Sequence, residues 1–360
     1  LSFINETDIF YKIHSNKEIY NISYVISLLN LDSALDYWAD KAITFSSISI
    51  KSLYGWASIK DLNNAYKNIY AHAIGKDLKY KYNPNLDAIH TKSTDVIFKN
   101  GKLYIYPRQA NTYKSKLKDS WIKIDFTTEE ELLRVHLLFD GQLDIDTLGI
   151  LQAYKIKVPF LQNSGVTNVD LAINVNLRTI AVSAEGKFFT DKADFTYKKN
   201  KINVSNANIS LHNHDISIDN MLAQYKDIAT SVVNVKYNAK TSKGVIDLDL
   251  STIDFKNLNF HLAMHNTKLK ARYVIEPNNE YLELYPSLWN FKDYTISTQK
   301  IKIPFDTHTQ TLIVPKTRLT LPSIGLADVH GRVNLKTMVY DFNTSLVQSN
   351  IANISLIESN

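Results

Sequence analysis

The chain has 360 residues, with 41 Lys+Arg against 36 Asp+Glu, a formal charge of +5 and 44% hydrophobic residues. That composition belongs to a folded protein and excludes both wholesale disorder and the concentrated basic face of a nucleic-acid binder. The absence of Cys excludes disulfide scaffolds, thiolate nucleophiles and Cys-based metal centres.

No window approaches eighteen uninterrupted apolar residues, so no membrane-spanning helix is expected within these bounds. The first residue is Leu1, and any signal or anchor is expected to precede it.

The first predicted element is helical. Ile22, Val25, Ile26, Leu28 and Leu29 recur at mixed spacings of three and four, as on one buried helix face. Asp32-Ser33 then precedes Leu35 and Trp38, so a helix–turn–helix or a broken helix is expected over about residues 17–41. Residues 1–41 are read as an N-terminal helical or mixed segment, and residues 42–360 as an elongated repeating β-region.

From Ile43 the period changes to two. Ile43, Phe45, Ile48 and Ile50 open the pattern, and Ile69, Ala71 and Ala73 continue it. Residues 95–106 hold two alternating runs around Asn100-Gly101. An Asn-Gly pair in that setting is a strong hairpin signal, because both residues tolerate positive φ.

Trp121, Ile122, Ile124 and Phe126 follow, then Val135, Leu137 and Phe139. A short helix is expected over Asp146 to Tyr154. Asp170 to Arg178 is the clearest strand, with Leu171, Ile173, Val175 and Leu177 on one face. One-faced strands continue through Val233-Val235-Tyr237, Ile246-Leu248-Leu250, Leu269-Ala271-Tyr273, Ile301-Ile303 and Val333-Leu335. The fold class expected is mainly β: a long, curled antiparallel sheet forming an open apolar groove, with a few short helices near the N-terminus.

Chemical motifs are sparse. His212-Asn213-His214-Asp215 could present two imidazoles near a carboxylate for a metal, but reads first as a polar turn. His261 and His265 would share the polar side of a strand. Glu129 to Glu131 and Asp144-Ile145-Asp146 are carboxylate groups of the kind that glycosidases pair, and each is more simply a helix start, turn or edge. Walker loops, serine elbows and dinucleotide fingerprints are absent. No catalytic residue, metal or cofactor is therefore assigned, and a non-enzymatic protein is expected. Asp341-Phe342-Asn343-Thr344-Ser345 fits the extended bacterial glycosylation sequon, a weak pointer to the periplasm.

Ser93 to Ile105, with Val96, Phe98, Asn100-Gly101, Leu103 and Ile105 in register, is followed by Trp121 to Phe126. This phrase resembles the recurrent β-phrase of the AsmA-like superfamily, which includes YhdP- and TamB-like proteins. Echoes occur at Ala193 to Val204, where the glycine is missing, and at Val235 to Leu248. The texture covers most of residues 60–275.

The resemblance implies a repeating β-groove of a bridge-like lipid transfer protein. It implies a place in the periplasm and an inner-membrane anchor outside this segment. The expected cargo is phospholipid or another acyl lipid, conducted toward the outer membrane with possible outer-membrane partners and no nucleic acid. The lining would then be Val96, Phe98, Leu103, Ile105, Val135, Leu137, Phe139, Leu171, Ile173, Val175, Leu177, Ile202, Val204, Ile209 and Leu211. The same alternation also fits a structural or adhesive β-sandwich whose apolar faces pack on each other, with no lipid cargo.

Overall fold

The structure is a computed structural model. It describes residues 2–3, 7–15, 17–21, 43–81, 88–112, 115–128, 132–153, 155–156, 158–179, 181–197, 199–256, 261–291, 294–321 and 325–349. The described residues are mostly strand, in antiparallel ladders of one open sheet, which is the mainly-β class expected from the alternation.

The predicted helix near residue 146 is present as α1 (Ile145–Ala153), which buries Ile150 and Leu151. Asp144 caps it: its Oδ1 accepts the Thr147 N–H at 2.9 Å, satisfying one orphan donor of the first turn. The Asp144-Ile145-Asp146 carboxylates thus belong to a helix start. A 3-10 segment spans Leu62–Asn68. Most of the helical region expected over 17–41 lies outside the described residues. Its described beginning contains a short strand, Glu18–Ile19, paired with Ile48 and Ser49.

Two compact units make up the chain: residues 1–155 with 167–188, and residues 156–166 with 189–360. In the first, Asp8–Ile13, Ser47–Ser58, Ile69–Tyr80, Ile89–Lys99, Lys102–Arg108, Trp121–Asp125, Leu132–Gly141 and residues 167–176 are successive hydrogen-bonded neighbours. Asn100 and Gly101 adopt φ of 53° and 66° between the paired Lys99 and Lys102. That is the two-residue turn whose twist matches the flanking strands.

In the second unit the order is Asn200–His212, Asp215–Tyr225, Ala229–Asn238, Lys243–Lys256, His261–Ile275, Glu280–Leu284, Ile301–Asp306, Thr311–Leu321, Gly325–Asn334 and Val339–Ser349. The missing glycine of the second β-phrase is replaced in its turn by Lys199, with φ of 72°.

Bulges interrupt the second ladder. Register shifts occur between Ile218 and Met221, between Thr230 and Ser231, between Leu250 and Thr252, and between Val314 and Thr317. Asn206 and Asn220 carry the backbone at φ of 52° and 53°. Each extra residue bends its strand and tightens the twist. It also resets the alternation: Val204 and Ala207, three apart, are both buried, at 6% and 0% exposure.

The polar face is tied by ion pairs. Asp125 faces Lys102 at 3.0 Å and Lys123 at 3.1 Å, and accepts the Thr127 hydroxyl at 2.6 Å. Burial pulls the Asp125 carboxyl upward, but the hydrogen bonds from Thr127, Lys102 and Lys123 outweigh it and hold the group well below the usual carboxylate range.

Gly101→Val should destabilise the fold by about 1–2 kcal/mol, the cost of a branched residue at positive φ. Gly101→Asn should cost much less. Urea unfolding midpoints check the order, and equal midpoints for the two variants would contradict it. A carboxyl depressed in the folded state stabilises above its unfolded pKa and loses that contribution as pH falls. Asp125→Asn should therefore show a shallower loss of stability than the parent between about pH 5 and pH 3. Parallel pH profiles of the thermal midpoint would contradict the assignment.

Candidate functional site

Register places the apolar side chains of the first unit in transverse rows on one sheet face. One row runs Ile50, Ala73, Val96, Ile105, Ile122, Val135, Ile173. The next runs Leu53, Ala71, Phe98, Leu103, Ile124, Leu133, Val175. Leu137 pairs with Leu171 and Phe139 with Val169 on the same face. Ten of the expected lining residues, Val96, Phe98, Leu103, Ile105, Val135, Leu137, Phe139, Leu171, Ile173 and Val175, thus share one surface. Leu177 follows the strand end and is buried.

Burial along this face is graded. Ile122, Leu133, Val135, Leu137, Leu171 and Ile173 are at most 3% exposed. Ile48, Ile50, Leu53, Ala71, Ala73, Val96, Phe98 and Leu103 are only half-buried. Apolar surface is therefore partly accessible from the strand Ser47–Ser58 as far as Val96, Phe98 and Leu103, and covered from Ile105, 1% exposed, through Trp121–Asp125 and beyond. Gly75, across from Ile48, is buried under Phe45: a Cβ there would lie 2.4 Å from the ring.

The second unit repeats the design. Ile209, Ile218, Val235, Ile246, Tyr273, Leu282 and Ile303 form one row. Leu211, Ile216, Tyr237, Gly244 and Ile275 form another. Val204, across from Ala223, lies on this face beyond Asn206, whose positive φ turns the alternation over. Val204 and Leu211 are buried, whereas Ile202 and Ile209 are half-buried, as are Ile246, Leu248, Leu250, Leu282 and Leu284.

Sequence reasoning recognised Ile122, Ile124, Val233, Val235, Ile246 and Leu248 as strand residues but left them out of the lining. Their alternation carried the signal. Glu280 was missed altogether. It shares the apolar face with Leu282 and Leu284, is 8% exposed, and accepts a hydrogen bond from the Tyr273 hydroxyl. In the segment Glu280-Tyr281-Leu282-Glu283-Leu284, apolar residues occupy both phases, so alternation alone does not reveal which glutamate turns inward.

The other candidate chemistry resolves into turns and edges. His212 lies directly across from Asp215 in a hairpin whose Asn213 has φ of 55°. His261 and His265 fall on the strand His261–Ile275, in backbone register with Lys256 and Thr252. Glu129 to Glu131 lie outside the described residues. No described helix is long and apolar enough to cross a membrane.

No curated protein and no solved structure matches the chain. A family model described as YhdP protein matches residues 31–356. The match spans both β-units and their apolar faces, and the chain belongs to the YhdP family.

Proposed function

We propose that this chain is a non-enzymatic periplasmic section of an envelope lipid-transport protein, whose apolar sheet faces solvate phospholipid acyl chains between inner and outer membranes. The observation that carries the reading is the half-buried stretch from Ile48 to Leu103: apolar rows continuous across four strands, on an open sheet. YhdP family membership supports an envelope lipid-transport role of this kind.

The physical chemistry is adequate. Each methylene moved from water to an apolar surface gains about 0.8 kcal/mol, so about ten methylenes laid along the rows gain roughly 8 kcal/mol before the entropy of ordering is subtracted. Side chains that only solvate hydrocarbon need no catalytic group and no cofactor. The head group is kept in water by the polar strand edges. An anchor in the inner membrane belongs to a part of the protein outside this segment, and outer-membrane partners complete the route.

One observation favours a second reading. The rows through Ile122, Val135 and Ile173 are as dry as a sandwich core, which suits a structural or adhesive scaffold without cargo.

A fluorescent-acyl phospholipid titrated into detergent-free protein separates the two. Phe98→Asp should weaken binding by about tenfold or more, equivalent to about 1.4 kcal/mol. Lys99→Asp, the adjacent residue on the opposite face, should bind as the parent does. Circular dichroism confirms that both variants fold. Undiminished binding by folded Phe98→Asp would contradict the groove, and no binding by the parent would favour the scaffold.

A further inference from the structure

The apolar face of the second unit is bridged by side chains from strands far apart in its ladder. Tyr197 precedes the first strand of that ladder, and Tyr273 lies on its fifth strand, His261–Ile275. Yet their rings meet edge-on, with centroids 6.5 Å apart and planes at 87°. Phe160 packs on Tyr197 at 5.2 Å, and Phe305 on Tyr273 at 6.0 Å. Such contacts across four intervening strands require the bulged sheet to curl until its own faces approach. The Tyr225 hydroxyl marks the same curl, with the Leu335 carbonyl at 3.3 Å and Asn200 Oδ1 at 3.2 Å as acceptors for its one proton.

At the centre of the bridge stands Glu280, directly across from Phe305 in the ladder. The Tyr273 hydroxyl donates to its Oε2. Burial first, and then this carboxylate, push the Tyr273 phenol well above its ordinary pKa, and burial together with the charge of Glu280 does the same to Tyr197. Both phenols therefore remain donors. A carboxylate among aromatic rings is costly to keep in an apolar face.

We infer that Tyr197, Tyr273, Phe305 and Glu280 form a charge-selective constriction that admits neutral hydrocarbon and rejects anionic groups from the second unit's apolar face. An acyl chain can replace ring contacts with contacts of its own. An anionic group entering the same space meets the Glu280 carboxylate at low dielectric, where like charges repel strongly. Head groups of anionic amphiphiles are held outside while their tails pass. This inference rests on the lipid-solvating reading and names the residues that set its selectivity.

The test uses diazirine-bearing stearic acid and its methyl ester as photoprobes on the whole chain, with labelled peptides mapped by mass spectrometry. In the parent, the ester should label the peptides carrying Tyr197 or Phe305 about tenfold more than the ionised acid, a difference of about 1.4 kcal/mol. Glu280→Gln, which keeps the shape and removes the charge, should bring the two probes to near equality. Phe305→Leu, which loosens the ring packing but keeps the carboxylate, should raise labelling by the ester and preserve the discrimination. Equal labelling in the parent, or discrimination unchanged in Glu280→Gln, would overturn the constriction. Labelling confined to the first unit in every protein would also overturn it while leaving the lipid-solvating reading intact. Absence of labelling on either apolar face would overturn both.

Discussion

Everything in this fold follows from strands that are apolar on one side only. Alternation along a strand sends every second side chain to the same face, and the antiparallel registers align those faces into rows that cross each unit. A one-sided sheet must find cover for its apolar face, because exposed apolar surface costs about 25 cal/mol per Å². The chain answers partly by curling. A positive φ at Asn206 and bulges at Asn220 and near Ser251 bend the strands of the second unit, and the tyrosines at 197 and 273 meet across the bend.

Cover is not uniform, and the uneven part is the proposed lipid-solvating surface. Around Val135 and Ile173 the rows are dry. From Ile48 to Leu103, and again along Ile246, Leu248 and Leu250, they are half-buried. Hydrocarbon of the right length is a natural partner for such surface, since it needs no directional bonds and tolerates sliding. The opposite face carries the polar work: Asp125 with Lys102 and Lys123, Asp95 with Arg108, and Arg272 with Asp247. These pairs are mostly exposed on one side, so they steady strand registry more than they add stability.

Much of this was legible in the residues. Period-two alternation announced the strands, Asn100-Gly101 fixed one hairpin, and the β-phrase at Ser93 to Ile105 pointed to the family. Three features were not. Bulges hide because the alternation simply slips by one: Val204 and Ala207 read as opposite faces until Asn206 is seen at positive φ. Glu280 hides because its neighbours fit either phase, and only the ladder partner Phe305 shows which way it turns. The grading of burial hides because alternation gives a residue its face, not the thing that covers it; Val96 and Val135 look equivalent as text and differ in the fold.

Native mass spectrometry of the gently purified, detergent-free chain, followed by lipid extraction, tests the lipid-solvating face most directly. The reading predicts phospholipid in near-stoichiometric amounts on the folded protein, released intact on denaturation. A lipid-free protein of the same fold and undiminished stability would contradict it, and would leave the apolar rows as the core of a scaffold.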